Sequence, residues 1–205
     1  MIELSMPLSK NFTLGELVRS DTVERDENLK KVQYNPPQEV IDNLQYLVQT
    51  TLQPIRTQMG FPIRISSGYR CPLVNKIVGG SATSQHCRGE AADCYLSPRF
   101  LSDPATETIR SEINSKVLEL TGKSLRPDIN QNFYLFAYIC VHLNALDVDQ
   151  VIHEYGEDFG RPAWVHISSS GRQDKRQLLV VGSYTNKSYL KPMQKEALLF
   201  GTATA

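Results

Sequence analysis

Several classes of protein are excluded by what this sequence lacks. It has 22 basic and 22 acidic residues among 205, a formal net charge of zero. Such a chain has no general electrostatic grip on nucleic acid or an anionic membrane, and neither is expected as a partner. No window approaches the roughly 18 apolar residues of a membrane span. The N-terminus, Met1-Ile2-Glu3-Leu4-Ser5-Met6-Pro7, has no basic stretch followed by an apolar run, so no secretory signal is read there and synthesis in the cytoplasm is expected. The four cysteines, Cys71, Cys87, Cys94 and Cys140, form no C-x-x-C pair and are expected as free thiols. Repeats and low-complexity segments are missing too. What remains is 40% hydrophobic, enough for one buried core and short for two, so 1–205 is read as a single domain.

Local signals divide the chain. Thr13 followed by Glu16 reads as a capping box at the start of a short helix, and residues 20–35 read as polar loop. Pro36-Pro37 opens a long helix with Val40, Leu44, Leu47, Thr51, Ile55 and Met59 at helical spacing, stopped by Gly60 and kinked or divided by Pro54. A strand at 62–66, a turn at Ser67-Gly68-Tyr69-Arg70 and a brief helix at 72–78 follow, the last ended by Gly79-Gly80. Residues 97–132 read as a helical insertion, in which Asp103-Pro104 starts a helix carrying Ile109, Ile113, Val117 and Leu120 and ended by Gly122. Asn130 caps a further helix through Leu143. Strands are expected at 91–96, 149–154, 163–168 and 177–183, and a frayed tail after the apolar run 197–200.

The chemistry gathers at Ser84-Gln85-His86-Cys87-Arg88-Gly89-Glu90-Ala91-Ala92-Asp93. Zinc held by imidazole and carboxylate needs both ligand atoms about 2.0–2.2 Å from one point. On a continuous helix, His86 and Asp93 would lie about 10 Å apart along the axis, so the chain between them must bend. Gly89 permits the backbone angles of that bend, and Ala91 and Ala92 are small enough for the returning strand to pass close beneath a metal.

Trp164-Val165-His166-Ile167-Ser168 supplies a third donor: alternation puts Trp164, His166 and Ser168 on one face, with Val165 and Ile167 anchoring the other. His86, Asp93 and His166 then leave a fourth position open, as a catalytic zinc requires. Cys87 and Cys94 each directly follow a ligand candidate, yet neither is expected to close that position. A general base is also needed. In Val151-Ile152-His153-Glu154, alternation sends His153 and Glu154 to opposite faces. Glu154 is favoured as base, with Glu157 and Asp158 as alternative bases, and His153 and His142 are read as surface or packing residues. Arg70 is read as a clamp for a substrate carboxylate, a donor to a developing oxyanion, or a surface ion pair. Trp164 is a cleft wall or an aromatic at the core's edge.

The pattern Ser84-x-His86-x-x-Gly89-x-Ala91-x-Asp93, with Ser67-Gly68-Tyr69-Arg70 upstream and Trp164-x-His166 downstream, resembles that of the M15 zinc peptidases. These include D-alanyl-D-alanine carboxypeptidases and dipeptidases and the L-alanyl-D-glutamate endopeptidases of phage lysins; the hedgehog signalling domain carries a similar motif and fold. The resemblance runs from Phe12 to the strand near Val180. It implies an α+β domain in which a small antiparallel sheet, flanked by helices, cradles one zinc ion. It also implies cleavage of peptidoglycan stem peptides, carboxypeptidase-like or endolysin-like. The family's ligands carry over to His86, Asp93 and His166, its arginine to Arg70 and its motif serine to Ser84, giving Arg70, Ser84 and Trp164 as substrate contacts. Many members place the acidic base three residues before the last histidine, where this chain has Ala163; Glu154 matches the glutamate that others place on the preceding strand. A non-catalytic zinc domain that binds a wall peptide or a protein partner is the alternative. A wall-cutting enzyme without a secretory signal would be released by another route, as phage or prophage lysins are, or would act on recycled wall fragments.

Overall fold

Apolar residues at alternate positions of four segments settle one face of a sheet onto helices and leave the other face for chemistry. In the computed structural model, which describes residues 2–172, 175–182 and 189–203, the strands are β1 (Pro7–Ser9), β2 (Phe12–Thr13), β3 (Ile63–Ser67), β4 (Ala91–Leu96), β5 (Gln150–Glu154), β6 (Trp164–Ser168), β7 (Gln177–Val181) and β8 (Tyr189–Leu190). The helices are α1 (Leu14–Val18), α2 (Glu27–Gln33), α3 (Gln38–Leu47), α4 (Gln53–Met59), α5 (Pro72–Ile77), α6 (Glu107–Thr121), α7 (Gln131–Val141) and α8 (Gln194–Leu199). None of the described helices is long and apolar enough to cross a membrane.

The fold is mixed α and β as expected, but the sheet corrects the expectation of a small antiparallel one. β1 and β2 form the small antiparallel sheet, away from the site; the larger sheet has six strands in the order β3-β4-β6-β5-β7-β8, and its β5–β7 pair is parallel. The reason is local. β6 runs antiparallel to β5 and ends at Ser168 beside Gln150, the same end of β5 at which β7 starts alongside it at Gln177. Ala92 and Cys94 of β4, Val151 of β5, Val165 and Ile167 of β6 and Val180 of β7 are fully buried in the main core, against α7 with its buried Phe133 and Phe136. The expected strand at 177–183 ends at Val181, and Ser183 lies outside the described residues.

Pro54 divides the long helix as expected. With no N–H to offer and a ring that crowds the preceding turn, it follows a π-helical segment, Val48–Leu52, between α3 and α4, and Gly60 ends α4 in the left-handed conformation at φ 60°. The 20–35 segment is not a loop: a 3₁₀ turn at Asp21–Val23 leads to α2, whose first N–H groups at Asn28 and Leu29 are capped by the Asp26 carboxylate. Only Leu29 and Gln33 of α2 are buried, too few to show as an apolar period. In α6 the buried stripe is Ile113, Val117 and Thr121, so Leu120 points outward. The C-terminal segment is not frayed as far as Ala203: Ala197 and Leu198 of α8 are fully buried and Thr202 pairs with Leu125; Thr204 and Ala205 lie outside the described residues.

The 97–132 segment is joined to the sheet through Asn132, a buried polar residue on the otherwise apolar α7. Its Oδ1 accepts from Leu96 N at 2.8 Å, and its Nδ2 donates to Ala163 O at 2.8 Å and Pro162 O at 3.2 Å. Direct β4–β6 pairing stops at Cys94–Val165. Where the next ladder bond would fall, the Asn132 amide stands between the two strands and satisfies both backbones.

His153 packs instead of lying at the surface. It is fully buried, its ring 5.5 Å from that of Phe136 and 6.2 Å from that of Phe133. The Phe159 carbonyl slightly favours a charged ring but lies outside hydrogen-bonding geometry, and burial dominates, lowering the pKa to about 4. A histidine kept neutral when folded, with an ordinary pKa near 6.5 when unfolded, adds stability that is present above pH 6.5 and lost as pH falls towards 4. The span corresponds to about 3 kcal/mol. Urea unfolding of metal-free protein at pH 7 and pH 4.5 should show wild type losing most of this, about 2 kcal/mol, beyond the loss of His153→Leu; equal losses would place the buried imidazole elsewhere.

Candidate metal centre

His86 sits in a 3₁₀ turn, Gln85–Arg88, that Gly89 closes at φ 72°. A side chain on Gly89 would also meet the Val40 carbonyl at 2.6 Å, so glycine serves both the bend and the packing against α3. The chain then returns as β4 and delivers Asp93 opposite His166, its register partner on β6. Thus a turn and two adjacent strands supply three donors, all buried.

The donors converge. His166 Nδ1 lies 3.0 Å from Asp93 Oδ1 and 3.1 Å from His86 Nε2, and His86 Nε2 lies 3.3 Å from Asp93 Oδ1. Bond lengths of about 2.1 Å at tetrahedral angles put neighbouring ligand atoms about 3.4 Å apart, close to this triangle. The residues therefore fit a tetrahedral ion with one position left for another ligand. His86 Nδ1 is 2.7 Å from Gly68 O, the outer contact that fixes a ligating ring's tautomer and leaves Nε2 for the metal. Burial alone would raise the Asp93 pKa, but the adjoining His86 and His166 rings hold the carboxyl well below its usual range.

The structure brings Arg70 into the same cluster. Its Nε donates to Ser67 Oγ at 2.7 Å, and its Nη2 donates to Asp93 Oδ2 at 2.5 Å. It is no surface ion pair, since only 19% of its side chain is exposed. Glu154 pairs with Trp164 across β5 and β6, two residues along from the His166–Ile152 pair, and so shares the face of the ligands. Trp164 Nε1 donates to Glu154 Oε2 at 2.7 Å, and Oε1 has no partner among the described residues. Burial and then the charge of Asp93 raise the Glu154 pKa, against weaker opposing effects from His166, the indole bond and Arg70. Glu154, Trp164, Arg70 and Ser84 all line a cleft of about 1550 Å³ with the three donors.

Glu157 and Asp158 are directed elsewhere. Glu157 pairs with Arg161 at 3.0 Å, while Asp158 is held by Arg161, by the Gly160 N–H and by Arg126. Neither lines the cleft. Cys87 and Cys94 stay outside the donor cluster, and burial pushes both thiols up. His142 stacks on Tyr138, 4.6 Å between ring centres. Sequence reasoning missed the Trp164–Glu154 bond and the Asn132 tie; the second had a signal, a lone asparagine among the apolar residues of α7.

Gly68 has a double duty. A β-carbon there would lie 2.2 Å from the Leu17 carbonyl oxygen, which also accepts from Tyr69 N, so the turn must shift to admit one. Gly68→Ala should lower stability by about 1–3 kcal/mol, as overpacking does. It should also weaken zinc binding about 10–100-fold, the cost of disturbing an outer partner of a metal ligand. A zinc titration of the folded variant that matches wild type would deny the carbonyl its orienting role.

A mixed α and β domain with a buried His-Asp-His cluster at the floor of a cleft is a candidate mononuclear metal hydrolase. The sequence profile of the Peptidase M15 family matches residues 10–119, and the chain belongs to that family, whose members are zinc peptidases. The matched stretch holds His86 and Asp93; His166 and Glu154 lie beyond it and join the site through the β4–β6–β5 register. No curated protein matches the chain.

Proposed function

We propose that the protein is a zinc-dependent peptidase that hydrolyses amide bonds in the stem peptides of bacterial peptidoglycan. The observation that carries this reading is the placement of Glu154. A buried carboxyl, with one oxygen that has no partner among the described residues and a pKa raised by burial, stands two residues along from the Asp93–His166 row, on the floor of the cleft that holds the three converging donors. His86, Asp93 and His166 would hold the ion. Bound there, zinc would supply Lewis acidity, polarising a carbonyl and making a water molecule acidic enough to attack near neutral pH.

The protein's own groups do the rest. Glu154 Oε1 takes the proton of the attacking water and returns it to the leaving amine, while the Trp164 indole fixes the carboxyl through Oε2. Arg70 commits Nε and Nη2 inside the site, leaving Nη1. Its two N–H groups belong to one nitrogen, which suits a developing oxyanion better than the two-nitrogen grip on a terminal carboxylate. That inclines the reading towards internal cleavage, as in endolysins. Ser84 lines the cleft beside the turn that carries His86, which supports a contact with the bound peptide. Zinc-loaded protein incubated with purified peptidoglycan should release new amino termini, and the masses of the fragments identify the bond cut. Intact wall and intact stem peptides after exhaustive digestion would favour a zinc-dependent binding domain instead.

A further inference from the structure

The cleft face of the large sheet is laid out in register rows. Asp93, His166, Ile152 and Leu179 form one row across β4, β6, β5 and β7; Trp164, Glu154 and Val181 form the next towards one end. Towards the other end the row is Ala91, Ser168, Gln150 and Gln177. Within it, Gln150 and Gln177 sit directly opposite each other on the parallel β5–β7 pair, both half-buried and both lining the cleft.

The two side chains are joined by one hydrogen bond, Gln150 Nε2 to Gln177 Oε1, at 2.7 Å. A carboxamide has an acceptor oxygen and a donor nitrogen, so the pair has an acceptor left at Gln150 Oε1 and a donor left at Gln177 Nε2. Neither has a partner among the described residues. Exchanging oxygen and nitrogen on both amides reverses the bond and leaves the same complement, one acceptor beside one donor, so the conclusion is independent of that assignment. The backbone beneath is pinned, because Gln150 N donates to Ser168 Oγ at 3.1 Å and Gln177 N donates to Asp149 O at 2.9 Å.

A side-by-side acceptor and donor match the N–H and C=O of one residue of an extended peptide, which point to the same side. Two residues along a strand and one strand across, Gln150 stands about 8 Å from the His166 position, the reach of two to three residues of extended peptide. We propose that Gln150 and Gln177 form a recognition subsite for the backbone N–H and C=O of one substrate residue, two to three residues from the bond that is cut. This rests on the peptidase reading above.

The test uses zinc-loaded wild type, Gln150→Leu and Gln177→Leu, with Gln177→Glu as a same-shape variant that replaces the donor by an acceptor. Thermal melting first establishes that each variant is folded. Each enzyme is assayed on a stem pentapeptide and on analogues in which one amide at a time is replaced by an ester. Each variant should raise KM about three- to tenfold with kcat little changed, the pattern of a lost neutral hydrogen bond made equally in ground and transition states. One ester analogue should cost wild type a similar factor and show no further loss in the variants. Variants that match wild type on the parent peptide, or that lose equally on every ester, would overturn the subsite while leaving the peptidase reading intact. A wild type that cleaves none of the peptides would sink that reading and this inference together. As a readout apart from turnover, the dissociation constant of the parent peptide for zinc-loaded Glu154→Gln should rise by the same factor when Gln177→Leu is added.

Discussion

His166→Ala should leave a folded protein that no longer retains zinc. The imidazole is one of three donors, and its Nδ1 stands within 3.1 Å of both of the others. Removing it breaks the triangle and not just one edge. The expected loss of affinity exceeds the roughly 10–100-fold cost of disturbing an outer partner. The fold should persist, because His166 faces the cleft while Val165 and Ile167 anchor β6 in the core from the other side. Zinc measured by atomic emission after dialysis should drop from about one ion per chain to near zero, with the far-ultraviolet circular dichroism unchanged. Full retention of zinc by a folded His166→Ala would remove this residue from the ligand set.

Glu154→Gln should keep the metal and lose the activity. The substitution preserves size and still offers an oxygen to the Trp164 indole, but it cannot take a proton. General-base groups typically contribute about 10²–10⁴-fold, and a loss of that order in kcat is expected. The pH profile gives an independent handle. A base must be ionised to act, and burial raises the Glu154 pKa above its ordinary value of 4.5. The acid limb of kcat/KM should therefore fall away at a higher pH than an exposed glutamate would give, and that limb should vanish from the residual rate of Glu154→Gln. An active Glu154→Gln with the wild-type limb would return attention to other acids, although Glu157 and Asp158 are tied to Arg161.

Much of the site was legible because its signals are local. A bend between His86 and Asp93 follows from ligand geometry, and Gly89 marks where it occurs. Alternation at 164–168 and 150–154 sorts His166 and Glu154 to one face and His153 to the other. The Thr13–Glu16 capping box forms as read, Thr13 N donating to Glu16 Oε2 at 2.8 Å. What could not be read depends on contacts distant in sequence. Alternation says which face a residue takes but not which neighbour a strand chooses or in what direction, so the parallel β5–β7 pair was hidden, and with it the meeting of Gln150 and Gln177. The tight approach of Gly68 to Leu17 and the Asn132 bridge between Leu96 and Ala163 are likewise products of assembly. Arg70 was placed near the metal by its turn, but its grip on Asp93 was not, because that bond joins the turn after β3 to a residue inside β4 that is distant in sequence.

On the function proposed above, one metal ion held by His86, Asp93 and His166 is what allows this chain to cut wall peptides. The most direct test is a zinc titration of metal-free protein in the presence of purified peptidoglycan, with bound zinc and released amines measured on the same samples. Amine release that starts near zero, rises in proportion to bound zinc and levels off at one ion per chain is the predicted result. Full release before any zinc is added, or none at full occupancy, would contradict it.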